Sequence, residues 1–254
     1  LAHELTREGI WEALRARRCY GTSGPRIILD VTVDGHPMGS EPSLSGTPEI
    51  AVRAHGTAPI DSIELRRGQQ TLYTHSSMPE PESEEPWRVR FAWRGARNRD
   101  RTRDLDWTGG LTVWNGQITS VENHAIDSPH DGVIDWDASR VRWRSHTCGD
   151  WDGVIVELDG DGATRLEFDS PTMRFGCTLA ELAAGPIEHH GPDLEQQVVV
   201  RRLANEPGPH DVSFTWRDDS PIDGLNPYWV WLTQADGELA WSTPVYATWS
   251  TTMR

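Results

Sequence analysis

The sequence predicts a mainly β protein, a β-sandwich of the immunoglobulin-like or jelly-roll-like kind, with one N-terminal helix and a β-rich insertion. Two patterns support this prediction. Short runs in which apolar and polar residues alternate recur from Pro25 onward, and Gly, Pro, Asn or Asp separate the runs. Before Arg18, by contrast, apolar residues have the spacing of an amphipathic helix.

The N-terminal helix is predicted to follow Thr6, because threonine side chains cap helix N-termini. Ile10, Trp11 and Leu14 would then share one face, and arginines fill the last turn, where cations favour the helix dipole. A helix this short is marginal alone in water. We therefore expect it to pack on something, and a domain that precedes it is a good candidate.

The strands are predicted in chain order from the alternating runs. They cover residues 27–33, 49–54, 60–65, 71–74, 87–94, 111–114, 117–121, 141–145, 154–158, 164–168, 198–200, 212–216, 228–233 and 239–246. Asn115 with Gly116, and the Asp-Gly-Asp-Gly run at 159–162, are turn signals that predict two hairpins. Residues 179–182 predict one helical turn. The charged segments 76–86 and 97–106 predict exposed loops.

Charge excludes some classes of partner. The 254 residues contain 39 acidic and 24 basic side chains, so the net charge is −15. Such a surface repels phosphate backbones, which argues against nucleic acid and anionic membranes as partners. No apolar run is long enough to span a bilayer, and no signal peptide opens the chain. Because the chain begins at Leu1, we expect a fragment of a longer protein, and the compartment stays open.

The three cysteines, Cys19, Cys148 and Cys177, are widely spaced and form no Cys-x-x-Cys pair. A disulfide framework and a zinc ribbon are therefore disfavoured, and buried free thiols are expected.

No catalytic residue and no metal ligand is predicted. The chain has no Gly-x-Ser-x-Gly, P-loop or Gly-x-Gly-x-x-Gly motif. The run at 159–162 resembles the start of a calcium loop but lacks the later ligands, so a turn is favoured. The histidine pair at 189–190 has no second ligand at metal spacing. His124 and His130, near Asp127 and Asp131, are interpreted as exposed loop histidines.

Tryptophan is abundant, with 13 copies, and exposed tryptophans stack on sugar rings. Most of them alternate within predicted strands and are expected in the core: Trp87, Trp93, Trp143, Trp216, Trp229 and Trp231. Trp136 and Trp151, with aspartates nearby, are better candidates for exposure. Trp151 is therefore a candidate contact for a small-molecule or sugar ligand.

Four segments resemble an uncharacterised family related to the polymerase-and-histidinol-phosphatase superfamily of metal-dependent hydrolases. They are LTREGIWEALRARRCYGTSGPRI at 5–27, VDGHPMG at 33–39, TCGDWDG at 147–153 and TQADGELAWSTPVY at 233–246. The resemblance implies an N-terminal catalytic barrel whose His, Asp and Glu residues bind the metal. This chain would begin after that barrel. A divalent metal is therefore expected only in the missing barrel, and no cofactor in this chain.

The resemblance also implies a domain organisation. Residues 1–22 would be a linking helix, residues 23–105 plus 205–254 a discontinuous sandwich, and residues 106–204 an insertion. The implied function is a non-catalytic C-terminal β domain that supports or covers the barrel, its partner in the same protein. The alternative is a carbohydrate-binding β-sandwich module. A calcium-stabilised interaction domain is a third possibility.

Arg18, Tyr20 and Thr22, after the linking helix, would face the barrel's active site. Guanidinium, phenol and hydroxyl groups suit an anionic oxygen. The other interpretation is structural, with the arginine capping helix carbonyls and the tyrosine packing in the core.

Overall fold

The mainly β class is confirmed by a computed structural model, which describes residues 1–82, 86–98 and 102–250. Within these residues the sheets are antiparallel except for one short parallel pair. Parts of the two predicted loops, residues 83–85 and 99–101, lie outside the described residues.

The helices and strands are numbered in chain order. They are α1 (Arg7–Arg15), β1 (Tyr20–Thr22), β2 (Ile28–Val33), β3 (His36–Pro37), β4 (Ser43–Leu44), β5 (Glu49–His55), β6 (Ile60–Arg67), β7 (Gln70–Ser76), β8 (Trp87–Ala96), β9 (Leu105–Asp106), β10 (Gly109–His124), β11 (Gly132–Asp137), β12 (Arg140–Arg144), β13 (His146–Thr147), β14 (Trp151–Asp169), β15 (Arg174–Thr178), α2 (Leu179–Ala184), β16 (Ile187–His190), β17 (Leu194–Leu203), β18 (Asp211–Arg217), β19 (Gly224–Gln234), β20 (Leu239–Ser242) and β21 (Val245–Trp249).

The chain divides into two compact units. The first comprises Leu1–Met78 and the chain from Pro207 onward, and the second comprises Pro79–Glu206. The boundaries predicted from the sequence differ, because they place residues 79–105 in the sandwich with residues 205–254. They belong to the second unit, since β8 pairs with β14 and β17. Residues 1–22 likewise belong to the first unit and form no separate body.

Two sheets form the first unit. In one, β19 pairs with β6, β20 and β21, and in the other, β5 pairs with β2 and β18. Along β2, β5 and β19 alternate residues are buried, as expected where one face of a sheet covers a core. Leu29 and Val52 from one sheet share a buried cluster with Leu65 and Val230 from the other. The first unit is therefore a sandwich.

An eight-stranded antiparallel sheet forms most of the second unit, with β8, β10 and β14 at its centre. Its core contains Trp93, Trp107 and Trp143, all fully buried, together with Phe168. The rings of Trp93 and Trp143 stack with centroids 4.9 Å apart. The predicted helical turn at 179–182 is confirmed as α2, which begins with a capping box between Thr178 and Glu181.

The two predicted hairpins are wrong. Residues 109–124 form the single strand β10, and residues 151–169 form the single strand β14. The two turn signals lie opposite each other, since Gly116 pairs with Gly160. The Asn115–Gly116 signal forms a β-bulge in the β10–β14 pair rather than a turn. The bulge lies between Trp114 and Gly116, where Asn115 has a φ of +58°.

Candidate functional site

Helix α1 leads into a junction that contains three of the four residues singled out from the sequence, Arg18, Tyr20 and Thr22. The position of this junction depends on how the helix begins and ends. The Thr6 hydroxyl accepts a hydrogen bond from the amide of Gly9 at 3.1 Å, so the predicted cap is confirmed. The helix ends against Gly39, at which an added Cβ would collide with the carbonyl oxygen of Ala16. Glycine at this position therefore allows the close approach of the two segments.

Two of the three polar side chains of this junction are engaged within the chain. The Arg18 guanidinium forms an ion pair with Glu12 of α1. The Tyr20 hydroxyl donates to the carbonyl of Ile27 at 3.0 Å, and its ring packs against the core of the first unit. Thr22 lies half-buried in β1, which pairs with β20. The structure therefore brings the three residues into one segment but gives Arg18 and Tyr20 structural partners.

The apolar face of α1 is exposed in this chain. The exposed fraction is 43% for Ile10, 61% for Trp11 and 54% for Leu14, whereas Ala13 on the same helix is buried. Leu5, before the helix, is also exposed and lines a shallow groove with these three side chains. Large apolar residues that adjoin one another at a surface mark a site of contact with another surface.

The tryptophan predictions are confirmed only in part. Trp93 and Trp143 are in the core, but Trp229 and Trp231 are half-buried on the opposite face of β19 from buried Tyr228 and Val230. Trp231 stacks on Trp241 with centroids 5.9 Å apart, and the Arg66 guanidinium covers Trp229 and Trp231. These rings therefore pack on one another and on arginine.

Trp151 is half-buried at the start of β14. The Arg94 guanidinium lies over its ring, 5.1 Å from the centroid. One face of Trp151 is thus already covered within the chain. Trp136, in contrast, is 45% exposed, as predicted.

Three carboxylates meet beside Trp151, and only two of them flank it in sequence. In the β10–β14 pair His124 lies opposite Gly153, so the loop after β10 lies beside the residues that precede Gly153. This register brings Asp127 to Asp150 and Asp152. One carboxylate oxygen from each residue lies within 4.8 Å of the others.

Asp152 is the buried member of this carboxylate cluster, with only 2% of its surface exposed. Its Oδ2 accepts a hydrogen bond from the Ser145 hydroxyl at 2.6 Å, and Ser145 Oγ accepts one from the indole nitrogen of Trp93 at 2.7 Å. Its Oδ1 is buried too, and it has no hydrogen-bond partner among the described residues.

Electrostatics at the cluster oppose a charged Asp152. Burial raises the pKa of Asp152 to about 7, against the lowering effect of the Ser145 hydrogen bond. The carboxylates of Asp150, Asp127 and Asp131 add to the increase. Asp131 lies 3.5 Å from Nδ1 of His146. The cluster therefore concentrates negative charge around a buried oxygen.

Sequence reasoning missed this cluster, although one signal was present. Asp152, Val154, Val156 and Leu158 are two residues apart in β14, and all four are buried. An aspartate in phase with the core-facing positions of a strand is unusual and points to a function. Asp127 could be added only from the tertiary structure.

The other sites considered in the sequence have structural explanations. Asp159 and Asp161 lie within β14, and Asp161 Oδ1 accepts from the amide of Ala163 at 2.8 Å. His189 packs on Phe175 with centroids 4.0 Å apart. His130 is exposed, but His124 is buried, which corrects the prediction of an exposed loop residue.

The cysteines are free thiols, as predicted, but they are not all buried. Cys177 is buried, Cys19 is half-buried and Cys148 is exposed. Burial raises the pKa of the Cys177 thiol to about 11. Neither described helix has the length and apolar character needed to cross a bilayer.

Comparison with known proteins finds only partial relatives. No family model matches the chain. No solved structure matches it. An uncharacterised protein of Chlamydia pneumoniae is 40% identical to it over 80 residues. Uncharacterised proteins of Chlamydia trachomatis and Chlamydia muridarum are each 38% identical over 80 residues. The match covers 29% of this chain and only 13% of each relative, so the relatives are far longer than the matched segment.

Proposed function

We propose that this chain is a non-catalytic C-terminal β region of a longer metal-dependent hydrolase, and that it supports a preceding barrel domain of the same polypeptide. The observation that carries the proposal is the exposed apolar face of α1. Ile10, Trp11 and Leu14 are the side chains that would contact the barrel.

The energetics favour an additional contact on this face. A nine-residue helix gains little stability on its own, and most of the stability of such helices comes from burying an apolar face. Fully burying a large apolar side chain stabilises by about 1.5–3 kcal/mol. Since roughly half of each side chain is exposed, covering all three would contribute about 3 kcal/mol.

Two further findings support a longer polypeptide. The chlamydial relatives extend far beyond the matched segment. The sequence that includes α1 also resembles the segment that leaves the catalytic barrel in proteins related to the polymerase-and-histidinol-phosphatase superfamily. The barrel would supply the metal ligands and the hydrolytic chemistry, and α1 of this region would pack against the barrel.

The test compares hydrogen exchange of α1 in the polypeptide of the complete gene and in the present chain. We expect the amides of residues 10–15 to exchange at least about tenfold more slowly in the longer protein, because the face is covered there. Trp11→Asp in the longer protein should remove this protection. Ile222→Asp is the matched control, since Ile222 is 52% exposed but lies outside α1.

Two results would contradict the docking of α1 on a preceding barrel. One is equal exchange of α1 in both proteins. The other is self-association of the present chain that Trp11→Asp abolishes, because the face would then join two copies. Hydrolysis of phosphate esters by the present chain alone would refute the non-catalytic role.

A further inference from the structure

We propose that Asp127, Asp150 and Asp152 form a calcium-binding site in the second unit. This inference goes beyond the proposed function, since the site lies in this chain and needs no barrel. It also departs from the sequence-based expectation that the chain holds no metal.

The first argument is that Oδ1 of Asp152 has no hydrogen-bond partner in the part of the chain that the structure describes. The indole N–H of Trp93 can only donate, so Ser145 must direct its own hydrogen to Oδ2 of Asp152. Oδ2 is therefore fixed as an acceptor, and Oδ1 is the oxygen left to bind something else. A buried carboxylate oxygen without a partner is costly, and a cation removes that cost.

The second argument is geometry. Two oxygens that each bind one calcium ion at about 2.4 Å lie at most about 4.8 Å apart. The oxygens of the three aspartates meet this condition. Asp152 would anchor the ion from the rigid strand β14, while Asp127 and Asp150 approach it from the loops that meet at the end of the β10–β14 pair.

The third argument is the charge around the site. Asp127, Asp150 and Asp152 form no ion pair with an arginine or histidine in the part of the chain that the structure describes, whereas Asp131 lies beside His146. Three uncompensated carboxylates therefore surround one point. All donors are oxygens, and none is sulfur or imidazole, which favours a hard cation.

Calcium fits this donor set better than magnesium. Calcium accepts irregular arrangements of carboxylate oxygens and completes its shell with water or backbone carbonyls. Magnesium demands a near-ideal octahedron at shorter distances and keeps most of its water. Two exposed loop carboxylates around one buried carboxylate match the first behaviour.

The experiment uses terbium as a luminescent substitute for calcium in the present chain, after treatment with a chelator. Trp151 adjoins two of the ligands and Trp93 lies two hydrogen bonds from Asp152, so excited tryptophan should sensitise bound terbium. We expect saturable emission that added calcium suppresses and that magnesium suppresses only at much higher concentration.

Substitutions test whether these aspartates bind the ion. The double variant Asp127→Asn with Asp150→Asn should raise the terbium and calcium Kd at least about tenfold. Both residues are exposed, so the fold should persist. The matched control, Asp159→Asn with Asp161→Asn, removes the same charge from exposed positions of β14 and should leave binding unchanged.

Three outcomes would overturn the proposal. They are the absence of saturable binding by the unchanged chain, loss of binding in the control rather than in the double variant, and displacement by magnesium as readily as by calcium. None of these outcomes bears on the docking of α1, so the two proposals can fail separately.

Discussion

His124 shows how burial decides the charge of a single side chain in this protein. Only 7% of its surface is exposed. Burial, with the nearby positive charges of Arg90 and Arg88, lowers the pKa of His124 to about 3. The ring is therefore neutral in the folded chain at neutral pH and in mild acid.

This burial predicts that His124 destabilises the folded chain in mild acid. The unfolded chain protonates His124 near its ordinary pKa of 6.5, and the folded chain does not until about 3. The unfolded state thus binds more protons at His124 below about pH 6.5, and His124 should lower the free energy of unfolding by about 1 kcal/mol between about pH 6.5 and about pH 5.5. The raised pKa of Asp152 acts in the opposite direction over this range, because the folded chain binds that proton more readily than the unfolded chain does. Urea denaturation of the unchanged chain and of a His124 variant, each at about pH 6.5 and about pH 5.5, measures the contribution of His124.

The comparison with variants isolates His124 from other titrating groups. His124→Gln should have a slope smaller by about 1 kcal/mol per pH unit than the unchanged chain. His130→Gln, at an exposed loop position, should keep the original slope. Equal slopes for the two variants would disprove the prediction.

Asp152 and His124 also show which properties of single residues could not be predicted from the sequence. Both are polar residues that the strand pattern could have placed on the core side, but their burial depends on neighbours distant in sequence. Trp93 and Ser145, which determine the hydrogen bonding of Asp152, are separated by 52 positions. Residue types were readable from the sequence, but their partners were not.

Among the elements, α1 was predictable because its signals are local. The cap at Thr6 and the spacing of Ile10, Trp11 and Leu14 lie within nine residues. The strands were predictable for the same reason, since alternation needs only five or six residues. Local signals were therefore sufficient to predict which segments form a helix and which form strands.

Strand continuity was not predictable, because it depends on pairing. Each turn signal, Asn115–Gly116 and Asp159 with Gly160, is typical of a hairpin when considered alone. In the structure the two signals face each other across the β10–β14 pair, and Thr164 joins them. Its hydroxyl donates to the carbonyl of Asn115 at 2.7 Å and accepts from the amide of Asp161 at 3.1 Å.

Thr164→Val should therefore weaken the pairing of β10 with β14. Valine keeps the shape but loses both hydrogen bonds, so we expect the free energy of unfolding to fall by about 1–2 kcal/mol. Chemical denaturation measures the difference. The matched control is Thr112→Val in β10, because the Thr112 hydroxyl makes no hydrogen bond in the described part of the chain. Equal effects of the two substitutions would refute this role.

For the whole molecule, the sequence indicated the β class but misplaced the boundary between the units. β8 follows β7 along the chain, so the sequence pattern favours placing it in the same sandwich. It pairs instead with β14 and β17, which begin 64 and 107 residues after Trp87. A strand's alternation says that one face is buried, but not against which partner.

The first unit should fold without the second. Met78, where the chain leaves the first unit, touches Gly208, just after the chain returns; an added Cβ on Gly208 would collide with the Met78 sulfur. Replacing residues 79–206 with a short Gly-Ser linker therefore spans a small gap and keeps the pairing of β6 with β19. We expect native-like chemical shifts for the first unit in NMR spectra.

The control for this deletion is a chain that ends at Met78. It lacks β19, the strand that pairs with β6, and should not fold. A linker variant that is as disordered as this control would contradict the independence of the first unit.

The contact of Met78 with Gly208 also has a mechanical consequence. Both ends of the described chain belong to the first unit, and the second unit is inserted between two adjacent points of it. Tension applied to the two ends is carried by the sheets of the first unit while they hold. The second unit, with its carboxylate cluster, bears load only after the first has come apart.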